Sequence, residues 1–337
     1  MKKPINIIFA ILIIYLLYGC SKDSQKEVVV YTSVDQLFSE PLLKEYEKKS
    51  GIKVKAVYDV EASKTTGMVN RLIAEKDNPK CDVFWNSEIG RTIFLKHKGI
   101  LIPYRSPSAK DIPELFKGKD GYWTGFAARA RVLVYNTNLL EEKDLPQSIF
   151  ELTDAKWKGK VAMAYPLFGT TATHVAALYC SMGKEKTEAF LKALRANDLV
   201  IVQGNSTARD VVVEGKLPIA FTDTDDVNVA LQSGKPVKMI YPDQDGIGTL
   251  LIPNTVALIR NAPHPEEGKR FIDYLLSREV ESKLSFCESA QMPLRDKVKT
   301  PASVPEFSSI KCMDVDYYEV AENMDSAARF CQKLFIR

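Results

Sequence analysis

The sequence predicts an α/β protein of two lobes joined by two strands. Three observations carry this. An apolar strand, a polar cluster and an amphipathic helix follow one another six times, three times in each half of the chain. Two long strand-like runs, 122–135 and 248–259, stand outside this repeat. Alternating strands and helices indicate layers built on mostly parallel sheets.

In chain order, Val28 to Tyr31 leads through Thr32-Ser33-Val34-Asp35 to a helix with Leu43 and Tyr46. Val54 to Tyr58 leads through 61–66 to the helical run Val69 to Glu75. Asp82 to Trp85 leads through Asn86-Ser87-Glu88 to Phe94 and Leu95. In the second half, Val161 to Tyr165 precedes Phe168-Gly169-Thr170-Thr171, and Leu199 to Val202 precedes Gly204-Asn205-Ser206-Thr207. Ile219 to Phe221 precedes Thr222-Asp223-Thr224-Asp225-Asp226. The runs 122–135 and 248–259 are expected to carry the chain between the lobes and back, as a hinge able to close on a ligand. A helix is expected over 263–277 and a last one over 315–335.

The N-terminus reads as an export signal. Lys2 and Lys3 precede an apolar run from Ile7 to Tyr18, too short for a membrane span. Gly19-Cys20 resembles the lipobox of bacterial lipoproteins, which implies acylation of Cys20 and a polar tether after it. The expected organisation is a signal at 1–19, a tether at 20–27 and a first lobe at 28–125. A second lobe at 126–250 and a return with the C-terminal helices at 251–337 complete it.

The 337 residues carry a formal charge of +3, two units of it from Lys2 and Lys3, so no basic footprint for nucleic acid exists. Cys81, Cys180, Cys287, Cys312 and Cys331 form no C-x-x-C pair, which argues against a sulfur-ligated zinc site. An oxidising exterior allows one disulfide among the last three. Cys180 reads as a small core residue.

In such sheets each polar cluster falls at a strand's carboxyl end and a helix's amino end, where open α/β sheets bind ligands. Individually, Ser, Thr, Asn and Asp there can be helix caps. As a set they nominate Thr32, Ser33, Ser63, Thr65, Thr66, Asn86 and Ser87 from the first lobe. Gly169, Thr170, Thr171, Asn205, Ser206, Asp223, Asp225 and Asp226 come from the second. Two ligand chemistries fit. Asp223, Asp225 or Asp226 with Glu61 or Glu88, the set Glu61, Asp225 and Asp226 foremost, and His174 as an added nitrogen donor, could cage a hard cation. Alternatively, hydroxyls and helix-start N–H groups, with Arg129, Arg131 or Arg209, could hold an organic anion such as a phosphonate or sugar phosphate. An aspartate would then accept from an amine or hydroxyl elsewhere on it.

From Val28 to about Asp325 the chain resembles the extracellular solute-binding proteins of bacterial ABC importers, in their ferric-iron-binding branch. The residues that carry this are Tyr31-Thr32-Ser33, Glu61-Ala62-Ser63-Lys64, Arg71 to Lys76, Asp82 to Trp85, Gly125 to Arg129 and Leu251 to Thr255. The resemblance implies the two-lobed type II periplasmic-binding-protein fold and a monomer, without resident cofactor, at the outer face of a membrane. It implies capture of a small solute, Fe(III) being the branch's cargo, and delivery to a permease and its ATPase. That branch uses adjacent tyrosines after a strand resembling Pro218 to Phe221, where this chain has Asp225-Asp226; its Tyr317-Tyr318 lies in the final helix.

No enzyme is expected. Gly204-Asn205-Ser206-Thr207-Ala208 lacks the second glycine of a nucleophile elbow, and Gly246-Ile247-Gly248 lacks the third glycine of a dinucleotide fingerprint.

Overall fold

The computed structural model describes residues 26–59 and 65–336. The lipobox Cys20, Glu61 and Ser63 lie outside the described residues. Within them, no helix is long and apolar enough to cross a membrane.

The first-lobe repeats fold as expected. Strand β1 (Glu27–Thr32) leads to α1 (Gln36–Ser50), β2 (Lys53–Tyr58) precedes α2 (Thr66–Ala74), and β3 (Val83–Asn86) leads to α3 (Gly90–His97). The two-residue β4 (Leu101–Ile102) follows. In the second lobe, β6 (Val161–Ala164) leads to α4 (Gly169–Met182), then α5 (Lys184–Ala196). Strand β7 (Val200–Val202) leads to α6 (Asn205–Val213), and β8 (Ile219–Asp223) to α7 (Thr224–Gln232). Strand β1 is parallel to β2 and β3, and β6 is parallel to β7 and β8, so the polar clusters of each lobe share one edge.

The connecting runs become β5 (Thr124–Asn136) and β10 (Leu251–Ile259), antiparallel to their neighbours. Strand β5 belongs to both lobes. Its residues 124–130 pair with β10, while 131–136 pair with β8 and with the edge strand β9 (Val237–Ile240). The strand order is β2-β1-β3-β10-β5-β8-β6-β7, a curled mixed sheet with helices on its faces. Within the β5–β10 pairing, Ala127 is an unpaired bulge residue at φ 44°. Its N–H donates to the buried Glu281 carboxylate at 2.9 Å, and its carbonyl accepts from Asn254 at 2.5 Å. A bulge bends and twists a strand, here ahead of Arg131, where β5 passes from β10 to β8.

Helix α8 (Pro265–Leu275) is the one expected over 263–277, and a further helix, α9 (Arg278–Phe286), follows it. The last helix, α10 (Tyr317–Phe335), packs on both lobes: Asn323 reaches Cys180 of α4, and Arg91 of α3 faces Asp325. Strands β4 and β9 and helix α5 are absent from the sixfold reading. Two- and four-residue strands are too short to show a period of two, and α5 follows another helix directly.

The five cysteines among the described residues are free thiols, so the disulfide allowed among Cys287, Cys312 and Cys331 is not formed. Cys331 is buried in α10, while Cys287 bonds Ser289 after α9 and Cys312 bonds the Ile310 carbonyl. Cys180 is half-buried against α10 rather than central to a core. Trp85, Trp123 and Trp157 are buried, and the Trp85 ring packs on Phe126 at 6.0 Å.

Candidate functional site

A cleft of about 200 Å³ opens where the two sets of polar clusters meet. From the first lobe it takes Asp35, Thr65 and Ser87, and from the crossing strand Arg129. The second lobe supplies Gly169, Thr170, Thr171, Asn205, Ser206, Asp223, Asp225 and Asp226.

The floor is a buried polar network around Arg131. Its Nη1 donates to Asp223 Oδ1 at 2.6 Å, and to Thr170 Oγ1 and Asn205 Oδ1 at 3.2 and 3.1 Å. Its Nη2 reaches Thr171 Oγ1 at 3.3 Å. The second oxygen of Asp223 accepts from Thr170 at 2.6 Å and from Asn205 at 3.0 Å. Burial by itself would raise the Asp223 carboxyl; the Arg131 and Arg129 guanidiniums outweigh it and hold the group below the ordinary carboxylate value.

Nearer the opening, Arg129 donates to the Ser87 carbonyl of the first lobe and lies 3.5 Å from Asp225 of the second. Asp226 accepts from Thr222 Oγ1 at 3.1 Å and faces Arg209 at 3.9 Å. One oxygen each of Asp223, Asp225 and Asp226 lies within 4.8 Å of the others, a spacing a cation could bridge.

The helix starts facing this cleft are uncapped. The residues before α4, α6 and α7 are Phe168, Gly204 and Asp223, and none makes a side-chain cap. Elsewhere the clusters do cap: Glu88 accepts from the Arg91 N–H at the start of α3 at 2.8 Å, and Asp225 accepts from the Asp226 N–H within the first turn of α7 at 3.1 Å. At α4 and α6 the positive dipole ends face the cleft without a side-chain cap.

Six sequence candidates are used elsewhere. Thr32 accepts from the Val34 N–H at 3.1 Å, and Ser33 bonds Asn86 at 2.6 Å. Asn86 bridges Glu88 and Thr92, so these polar groups tie β1 to β3 beneath the cleft. Thr66 opens α2 and does not line the cleft. Glu88 is no cage ligand: it is buried behind the cleft and accepts from Thr173 of α4 at 3.1 Å. His174 is buried against Phe221 and beside Arg131; burial first, then that charge, push it down to about 3, so it is neutral there. Tyr317 and Tyr318 stand away from the cleft, where Tyr317 donates to the Leu251 carbonyl at 2.7 Å.

Asp35, Tyr165, Phe168 and Gln203 line the cleft outside the candidate set. Asp35 closes the first polar cluster and was legible there. Tyr165 and Phe168 were read as strand end and helix lead-in, because aromatic residues carry no polar-cluster signal.

Residues 78–319 match the family model of the bacterial extracellular solute-binding proteins. The chain is 28% identical to iron uptake protein A1 of Synechocystis sp., over 85% of this chain and 81% of that one. It is 29% identical to a Salmonella typhi periplasmic protein named for 2-aminoethylphosphonate binding, over 70% of this chain and 68% of that one. In three dimensions it is similar to iron-bound HitA from Pseudomonas aeruginosa, with a TM-score of 0.81 at 24% identity, covering 91% of this chain and 99% of that one. The ferric binding protein from Campylobacter jejuni gives 0.83 at 23% identity, covering 92% and 100%. With the type II two-lobed fold and the match along most of its length, this chain belongs to the bacterial extracellular solute-binding protein family.

Proposed function

We propose that the chain captures a small organic solute with an anionic head and an amine or hydroxyl, closes its lobes on it, and presents it to an ABC permease. The carrying observation is the convergence of two uncapped helix starts, those of α4 and α6, on a cleft floored by a buried arginine. Such N–H groups and dipole ends favour phosphate-like or carboxylate heads without a metal. Arg129 adds a guanidinium at the opening, and Asp35, Asp225 and Asp226 offer acceptors for an ammonium or hydroxyl on the same solute. The Salmonella relative named for 2-aminoethylphosphonate supports this chemistry.

The second reading is capture of Fe(III), favoured by the three-carboxylate cluster and by relatives named for iron. Against the cage as first drawn stands Asp223, whose two oxygens already accept from Arg131, Thr170 and Asn205. A cation would also sit beside two buried guanidiniums.

Thermal unfolding separates the two. Stripped protein is melted with 2-aminoethylphosphonate in a chelator, and separately with ferric citrate. Ligand at about a hundredfold its dissociation constant stabilises by about 2.7 kcal/mol, or several degrees. A rise with the phosphonate supports the first reading. A rise with iron alone sinks it.

In the same reading the chain is held at a membrane surface by acyl groups on Cys20, and no catalytic group is needed. Mass spectrometry of the mature N-terminus tests the anchor. An unmodified chain starting elsewhere would remove it.

A further inference from the structure

Beside the polar cleft lies a second cavity of about 790 Å³ with a different lining. The two share a wall of Tyr165, Phe168, Gln203, Gly204 and Ser206, so one opens along the other. Beyond that wall the groove is bounded by Ile201 and Val202 of β7, Thr207 of α6 and Phe335, the last residue of α10. The rings of Tyr165 and Phe168 stack, 6.2 Å apart and 16° from parallel. Phe168 keeps 42% of its surface exposed. What sets this ring apart from other exposed apolar side chains is its place: it lines both the polar cleft and the groove.

Size points the same way. Small-molecule sites enclose most of their ligand and combine apolar walls with a few polar groups. The cleft alone is small and more polar than apolar, whereas the groove adds a larger apolar wall. The apolar part begins at Phe168, directly before the uncapped start of α4 that would hold an anionic head.

We infer that the groove receives an apolar or aromatic arm of the same solute whose charged head lies in the cleft, with the arm between Phe168 and Phe335. This rests on the reading that a solute head occupies the cleft. It narrows the substrate class from small phosphonates to amphiphilic organic anions, or to an iron chelate with an aromatic arm if the cargo is Fe(III). The head is placed by N–H groups, and the arm contributes affinity by leaving water.

Isothermal titration of the purified full-length chain with two matched pairs of probes tests this. One pair is 1-aminoethylphosphonate and 1-amino-2-phenylethylphosphonate; the other is the ferric complexes of acetohydroxamate and of benzohydroxamate. The aromatic member of a binding pair is expected to bind about tenfold more tightly, the gain from covering one face of a ring. That preference disappears in Ile201→Ser/Phe335→Ala, whose residues line only the groove, while the small member binds as before. Phe335→Ala alone, at the end of a helix, keeps the test available should the double variant fold poorly. Equal affinities within a pair that binds overturn the groove but leave the cleft reading standing. Preference in the iron pair alone, lost in the variant, keeps the groove and overturns the phosphonate-type head. Silence of all four probes overturns both.

Discussion

Arg129 and Asp225 stand 3.5 Å apart at the mouth of the cleft, and the same guanidinium donates to the Ser87 carbonyl of the other lobe. One side chain of the crossing strand thus touches both jaws. Under the proposed function, closing the lobes and orienting the solute would both depend on it.

Substituting Arg129→Met keeps the stem and removes the charge. Affinity for 2-aminoethylphosphonate is expected to fall at least tenfold, about 1.4 kcal/mol, measured by titration calorimetry. Unchanged affinity would take Arg129 out of the site.

The double substitution Asp225→Ala/Asp226→Ala distinguishes the two cargoes. Under the organic reading it weakens phosphonate capture without abolishing it, since the helix starts still hold the head. Under the iron reading it abolishes ferric binding. Tight ferric binding retained in the double variant would rule out the acidic cluster as an iron seat.

Glu88 gives a pH-dependent prediction. Burial raises its carboxyl above the ordinary 4.5, although Arg91, the Asn86 amide and the Thr173 hydroxyl pull against it. A raised carboxyl favours the protonated fold, so its contribution is present below about pH 4.5 and is lost as pH climbs through the raised value. Glu88→Gln keeps the shape and has no charge to bury. Its melting temperature is expected to exceed that of the wild type at neutral pH, and the two curves to converge in acid. A lower melting temperature at pH 7 would show that the charge itself holds the lobes together.

His174 works with the opposite sign. Its value falls from 6.5 to about 3 through burial and the nearby Arg131 charge. The neutral form is the folded one, so this stability is present above pH 6.5 and is lost as pH falls towards 3. His174→Gln is expected to flatten the acid limb of the stability curve. A parallel acid limb in the variant would refute the assignment.

At the hinge, Glu281 accepts from the Ala127 bulge and pairs with Arg295 at 2.6 Å, both carboxylate and guanidinium being buried. Glu281→Ala leaves that guanidinium with only Asp111 as anionic partner. A loss of about 3 kcal/mol in chemical denaturation is expected, as for other broken buried pairs. A loss below about 1 kcal/mol would mean Asp111 alone suffices.

The sequence by itself determined the repeating strand, cluster and helix, the two connecting strands and the placing of polar clusters on one edge. Those follow from local periodicity and from the handed, parallel geometry that brings strand ends together. It also singled out Asp225-Asp226, Thr170-Thr171 and Asn205 as cleft residues, because helix starts after strands share that edge. Tertiary structure alone decided which polar groups face the solute and which face one another. Thr32, Ser33 and Asn86 share a pattern with Thr170 and Asn205, yet Ser33 bonds Asn86 and Thr32 accepts from the Val34 N–H beneath the cleft. Asp223 resembles its neighbours in sequence, but Arg131, 92 residues away along the chain, occupies it. Likewise Tyr165 and Phe168 meet Phe335 only because α10 packs across both lobes. A hydrogen bond or an apolar wall depends on partners distant in the chain, and no local period encodes their distance in space.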